Sequence, residues 1–209
     1  MRTSYIKDCV ETIINMAQDN NISSPLNVLE LFAGEGSIFT QYLAKKCNKV
    51  IGWEIKNEFA SDFEKNVPNG RFFCKDTISL LQQENSDDFL NDANIICVDN
   101  PLGKYGDEYF EHFKFINHIH KLIHRPSILA IDIIKKPYNI EGNLEWVEER
   151  KRFYNIDKDE LDMGYALNFY KKILEKQGLS VGDAKIVCRE LDGDLDYFYM
   201  IICVVDKAK

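Results

Sequence analysis

Leu29 to Phe39 reads LELFAGEGSIF, and the fold follows from this stretch. An apolar run carries one acid, Glu30, and ends in Gly34-Glu35-Gly36, after which an amphipathic segment begins at Ser37. Glycine lets a backbone turn tightly and come close to a ligand, and the first N–H groups of a following helix are free to bind it. A strand, a glycine turn and a helix in that order form the opening unit of a doubly wound α/β sheet. The third glycine of the dinucleotide fingerprint is missing, since Phe39 occupies its place. The loop therefore suits a ligand without pyrophosphate.

Outward from this loop the same alternation repeats. A helix from about Ser4 to Asn20, within an N-terminal segment of residues 1–25, precedes the first strand, Leu26 to Phe32. Behind the glycines a helix is expected over Ser37 to Cys47, then a strand over Lys49 to Ile55 and a helix over Asn57 to Asn66. Pro68, Asn69 and Gly70 turn the chain into a third strand, Arg71 to Cys74, and a helix covers part of Thr77 to Leu90. Short apolar runs at Asn94 to Val98 and Ser127 to Ile134 give the fourth and fifth strands, and Ala166 to Gln177 a helix closed by Gly178. The last strands, Ala184 to Glu190 and Tyr197 to Val205, flank the turn Leu191 to Asp194, short enough to make an antiparallel hairpin. The expected class is α/β: a doubly wound, mostly parallel seven-stranded sheet with a reversed C-terminal hairpin strand and helices on both faces. At 209 residues, without a repeat or a flexible linker, residues 1–209 read as one domain.

Apolar residues make up 45% and charged residues 29%, the balance of a globular chain rather than a disordered one. No apolar run approaches the length that crosses a bilayer, and the N-terminal helix carries acids and amides where a signal peptide would be apolar. Six scattered cysteines with no CxxC pair argue against a disulfide framework or a thiolate metal site and for free thiols in a reducing cytoplasm. A formal net charge of −8 opposes polyanion partners, because phosphate binding draws on a basic face. Small basic clusters such as Lys45-Lys46 permit nucleic acid without demanding it. No membrane contact and no protein partner are indicated.

Three more acids follow Glu30 at intervals of about two dozen residues, one βα unit each: Glu54, Asp76 and Asp99. Each falls at or just after a strand end. Ligands of such a sheet bind beyond the carboxyl ends of its strands, so the four acids line one crevice. Their chemistry suits a nucleoside that also carries positive groups. Glu54 is placed for ribose hydroxyls, Asp76 for an exocyclic base amine, and Glu30 and Asp99 for offsetting positive charge.

LELFAGEGSIF, Trp53-Glu54-Ile55, Lys75-Asp76 and Asp99 to Gly103 (DNPLG) together resemble the successive motifs of class I S-adenosylmethionine-dependent methyltransferases. The resemblance covers about Val28 to Ile134, and the terminal hairpin is similar to that family's reversed last strand. It implies an enzyme that transfers a methyl group, with S-adenosyl-L-methionine as cofactor. It further implies that Glu30, Phe32, Ala33, Gly34 and Gly36 surround the methionine part. Glu54 and Ile55 would hold ribose and adenine, Asp76 and Thr77 the adenine edge, and Asp99 would sit beside the cofactor.

Asp99-Asn100-Pro101-Leu102 is similar to the (D/N/S)PP(Y/F) motif of enzymes that methylate amino groups, which implies catalytic roles for Asp99, Asn100 and Pro101. In those families the first residue and a backbone carbonyl accept hydrogen bonds from the amino group and direct its lone pair at the methyl carbon. Asn100 replaces the first proline and Leu102 the aromatic, so stacking would fall to Tyr105 or Tyr109. The favoured acceptor is an amino nitrogen in nucleic acid. A small molecule or a protein side chain is the alternative acceptor, and a non-catalytic module of the same fold is the third account.

All four histidines lie in Glu111 to His124, where Tyr109, Phe113, Ile116, Ile119 and Ile123 share one helical stripe. The pattern predicts a core-facing helix with its histidines outside. No metal site is expected, since no acid or cysteine completes the His120–His124 pair. His112, near Asp99 in sequence, is a candidate for handling the acceptor's proton. Pro137 to Gly164 is long, irregular and rich in aromatics (Tyr138, Trp146, Phe153 and Tyr154). This insert (residues 137–165) is expected to reach the substrate crevice.

Overall fold

Interior parallel strands are covered on both faces and so are written as near-continuous apolar runs. In the computed structural model, which describes residues 2–22, 24–82, 92–99, 110–137, 140–191 and 194–207, those runs become the centre of the sheet. The elements are α1 (Arg2–Asp19), β1 (Asn27–Leu31), α2 (Ile38–Ala44), β2 (Lys49–Glu54), α3 (Ala60–Asn66), β3 (Gly70–Cys74), α4 (Thr77–Gln82) and β4 (Ile95–Val98). They continue with α5 (Glu111–Phe115), β5 (Ser127–Ile134), α6 (Leu144–Tyr154), α7 (Met163–Lys176), β6 (Leu179–Leu191) and β7 (Asp194–Lys207). The strand order is β3-β2-β1-β4-β5-β7-β6, with β7 antiparallel to both neighbours and the other pairs parallel. Strand order reverses between β1 and β4, and the crevice of a doubly wound sheet opens at the carboxyl end of that switch.

Alternation along the strands sorts the core into two layers. Leu29, Leu31, Ile96, Val98, Leu129 and Ile131 face α5, α6 and α7, while Val28, Ile95, Cys97, Ile128 and Ala130 face α1, α2 and α3. Phe63 of α3 sets the spacing on the second face. A Cβ at Gly52 would come within 2.6 Å of its ring, one at Gly70 within 2.9 Å and one at Gly36 within 3.3 Å. Three glycines thus make room for one fully buried ring, whose burial is worth about 1.5–3 kcal/mol.

Several boundaries differ from the sequence reading. The hairpin strands run well past Ala184–Glu190 and Tyr197–Val205, because backbone pairing continues where the apolar pattern stops. Helix α7 begins at Met163, not Ala166, because Asp162 Oδ1 accepts from the Tyr165 N–H at 2.8 Å and caps it. Glu111 to His124 is not one α-helix: α5 gives way to a 3-10 turn over Ile116–Lys121. His112 lies in α5, before that turn, on the same helical face as buried Ile116 and Ile119, so the expectation that the histidines lie outside fails for it.

Candidate functional site

The loop after β1 holds three left-handed residues in five: Phe32 (φ 57°), Gly34 (φ 53°) and Gly36 (φ 78°). Such a conformation costs a phenylalanine about 1–3 kcal/mol and glycine almost nothing. Bonds from Ala33 N to Trp53 O (2.9 Å) and from Gly36 N to Ala33 O (3.1 Å) fix the loop against β2. At Gly34 no heavy atom of the described residues lies within 4 Å of where a Cβ would stand, so the loop presents open backbone to them there. Glu54 reaches this loop from the end of β2. Its Oε2 accepts from Gly34 N at 3.1 Å and its Oε1 from Lys56 N at 2.9 Å.

Glu30 and Asp99 meet on the α2 face. Glu30 pairs in register with Cys97, and Asp99 follows two residues later, at the end of β4. The Thr40 hydroxyl donates to Glu30 Oε1 at 2.7 Å, Ser37 Oγ lies 3.0 Å from Thr40 Oγ1, and the Ser37 hydroxyl bonds Asp99. Glu30 is 2% exposed, and its Oε2 has no hydrogen-bond partner among the described residues. Burial, and then the charge of Asp99, holds the Glu30 carboxyl well above the usual range, and burial pushes Asp99 up to about 7. The sequence reading missed Ser37 and Thr40, although a serine opening a helix after a glycine turn is an N-cap signal. It also missed Asp132, buried on β5 one step beyond the Val98–Ile131 pair and so beside Asp99; the signal was a lone acid in an apolar strand.

The third strand end behaves differently. Asp76 Oδ1 accepts from Ile78 N (3.0 Å) and Ser79 N (3.2 Å), and Asp76 Oδ2 from the Ser79 hydroxyl, so the carboxylate caps α4 and these bonds hold it below the usual range. Thr77 is buried at the first turn of α4. Ile55 stands 55% exposed beside Glu54, an apolar face at the rim of the site. Asp76→Ala is expected to cost about 1 kcal/mol, read as a lower urea midpoint, and Asp76→Asn to recover most of it. Equal loss in both variants would show that the cap is not what Asp76 contributes.

Asn100, Pro101, Leu102, Tyr105, Tyr109 and Tyr138 lie outside the described residues. Among the insert's described aromatics, Trp146 and Tyr154 are buried, and Phe113 packs at a tilt against half-buried Phe153 at 4.9 Å and Trp146 at 5.7 Å. His112 joins this cluster, its Nε2 contacting the Tyr170 hydroxyl and, at 3.3 Å, that of Tyr154. Burial, reinforced by Arg150, pushes His112 down to about 3. It stays neutral at physiological pH and is too weak a base to take the acceptor's proton. Among the described residues no group of three or more His, Cys, Asp or Glu is arranged to hold a metal ion, and no helix is long and apolar enough to cross a membrane.

The architecture has relatives among solved structures. The methyltransferase domain of bacterial CtHen1 aligns with 97% of this chain and 100% of its own, with a TM-score of 0.60 and 14% identity. The chain has the class I methyltransferase fold. The 1,6-didemethyltoxoflavin-N1-methyltransferase of Burkholderia thailandensis, solved with its namesake compound and S-adenosylhomocysteine, covers 97% of this chain with 79% of its own, at a TM-score of 0.59 and 13% identity. N-methyltransferase NodS of Bradyrhizobium japonicum covers 97% with 98% of its own, at 0.57 and 12%. No protein-family model and no curated protein matches the sequence significantly.

Proposed function

We propose that this chain is a single-domain, cytoplasmic, S-adenosylmethionine-dependent methyltransferase acting on an amino nitrogen. The observation that carries the reading is one juxtaposition at the carboxyl ends of β1, β2 and β4. There an open glycine backbone, the Glu54 carboxylate, the buried Glu30 and the half-buried Asp99 meet. The donor set fits the cofactor: Glu30 Oε2 is a buried acceptor awaiting a cation, Gly34 leaves room for close approach, and Ile55 offers an apolar face to adenine. When bound, the cofactor supplies an electrophilic methyl group on a sulfonium.

Gly34 admits the amino-acid part against bare backbone, while Gly36 lets the loop close over Phe63 and Val67. Glu54 keeps lone pairs for ribose hydroxyls after accepting from Gly34 and Lys56, so one carboxylate orders the loop and takes the sugar. Asp99 accepts the acceptor's N–H and aims its lone pair, the positioning that methyl transfer depends on. The acceptor we favour is an amino group of a nucleic-acid base, on the likeness of Asp99 to Leu102 to the amino-group motif. A small-molecule amine or protein side chain is the second reading, favoured by the net charge of −8 and by the acids at four strand positions.

Calorimetric titration tests the reading. S-adenosylmethionine is expected to bind and NAD not to, and Glu54→Gln should weaken binding roughly 10–150-fold, the worth of a charged hydrogen bond of about 1.5–3 kcal/mol. Binding of NAD in its place sinks the proposal. Labelled methyl transfer to an oligonucleotide or to amines then separates the acceptors, and cofactor binding without transfer to any acceptor class would identify a non-catalytic module.

A further inference from the structure

Four side chains form an unbroken line of oxygens between β1 and β4: Glu30, Thr40, Ser37 and Asp99. Its three links need three protons, one each. Serine and threonine supply one apiece. With both carboxyls ionised, each hydroxyl turns its proton to its own carboxylate, and the Ser37–Thr40 contact at 3.0 Å is left with two lone pairs facing. One carboxylic proton completes the line in either of two orders. Asp99 donates to Ser37, Ser37 to Thr40 and Thr40 to Glu30, or every bond is reversed.

Among the described residues no cation is among the groups that shift Glu30 or Asp99. Tyr5, Asp8, Cys47 and Asp132 are the further groups acting on Cys9 and Cys97 of this face, while Tyr42 and Cys203 pack in the same layer and the ammoniums of Lys7 and Lys45 lie over the Tyr42 ring. Neither Glu30 nor Asp99 takes part in an ion pair among the described residues. The unpartnered Glu30 Oε2 adds a buried acceptor at one end of the line.

We propose that the Glu30–Thr40–Ser37–Asp99 line is a proton-for-cation exchange site: it stores one proton while empty, releases it when a positive group of the cofactor enters, and takes up the acceptor's proton after transfer. The proposal rests on the methyltransferase reading. In transfer, the nitrogen lone pair forms the N–C bond as the C–S bond breaks with its electron pair on sulfur. Positive charge at sulfur disappears and the nitrogen carries one proton too many. Passing that proton to Asp99, and along Ser37 and Thr40, returns the pocket to its starting charge.

The sign of the pH dependence follows. Asp99 is raised to about 7 in the empty site, so below that pH a proton must leave before the cation enters. Affinity therefore rises with pH, by up to about tenfold per unit, and levels off above about 7.

Calorimetry on the whole chain at about pH 6.5, in two buffers of different ionisation heat, counts the protons released. S-adenosylmethionine is expected to release most of one proton, and 5′-methylthioadenosine, which lacks both positive groups, none. S-adenosylhomocysteine retains the ammonium but not the sulfonium. Release matching that of S-adenosylmethionine assigns the exchange to the ammonium, and a smaller release assigns it to the sulfonium. Infrared spectra should show a protonated carboxyl in the empty protein that bleaches on binding. Thr40→Val cuts the line, and Glu30→Gln completes it with an amide N–H; both should abolish the release. Tight S-adenosylmethionine binding with no proton released and no change in affinity between about pH 6 and 8 overturns the exchange and leaves the methyltransferase reading standing. Failure to bind at every pH overturns both.

Discussion

Asp99→Ala lowers kcat by about 10²–10⁴-fold while the cofactor dissociation constant at about pH 8 stays within about tenfold. The split follows from where Asp99 sits. It follows β4, its carboxyl is fixed by the Ser37 hydroxyl, and it stands at the strand-order switch, where the acceptor enters in the proposed reading. In that reading the cofactor's contacts fall mainly to the glycine loop, Glu54 and Ile55, so loss of Asp99 alone should leave most of the affinity. Asp99→Asn keeps an oxygen for the acceptor's N–H but cannot take its proton, and should fall between wild type and alanine. Single-turnover transfer of labelled methyl, set beside calorimetric affinity, decides the matter. Affinity falling in step with activity would make Asp99 a cofactor ligand only.

The strands, the glycine turn and the placement of the acids were readable because each is a local demand of the backbone. A parallel strand buried on both faces must be apolar throughout, so Glu30, the lone acid in β1, stood out against Val28, Leu29 and Leu31. Gly34 and Gly36 answer to positive φ, which a sequence declares directly. What the acids do was less readable, because backbone N–H groups compete for the same oxygens. Asp76 is drawn into capping α4, and Glu54 is shared with Gly34 and Lys56, before any ligand is considered. The oxygen line needed knowledge that no local pattern holds. Glu30 and Asp99 become neighbours only through the β1–β4 register, and Ser37 and Thr40 bridge them only because α2 starts above that pair. His112 fails for a different reason: it stands four residues before Ile116 on α5, so it shares the buried face that the sequence reading assigned to apolar residues alone.

Arg150→Met destabilises the fold by about 3–5 kcal/mol, with little effect on chemistry at temperatures well below unfolding. Arg150 is 1% exposed, and its three hydrogen bonds end on backbone carbonyls: Asp159 O at 2.7 Å, Lys135 O at 3.0 Å and Ile134 O at 3.2 Å. Its guanidinium also lies 5.5 Å from the centre of the Tyr154 ring. One α6 side chain thus ties the end of β5 to the loop before α7, in a place where those carbonyls find little water. Methionine keeps the length and the apolar stem but none of the five donors, so all three carbonyls lose the guanidinium, while Lys135 O keeps the Leu161 N–H at 2.9 Å. For a chain of this size the loss corresponds to a fall in Tm of roughly 6–20 °C. Arg150→Lys should recover little, because a single ammonium cannot span three carbonyls as the planar guanidinium does. Urea titrations of both variants check the prediction. A wild-type midpoint for Arg150→Met would mean that the carbonyls at Ile134, Lys135 and Asp159 find other donors, and that the buried cation serves something besides the fold.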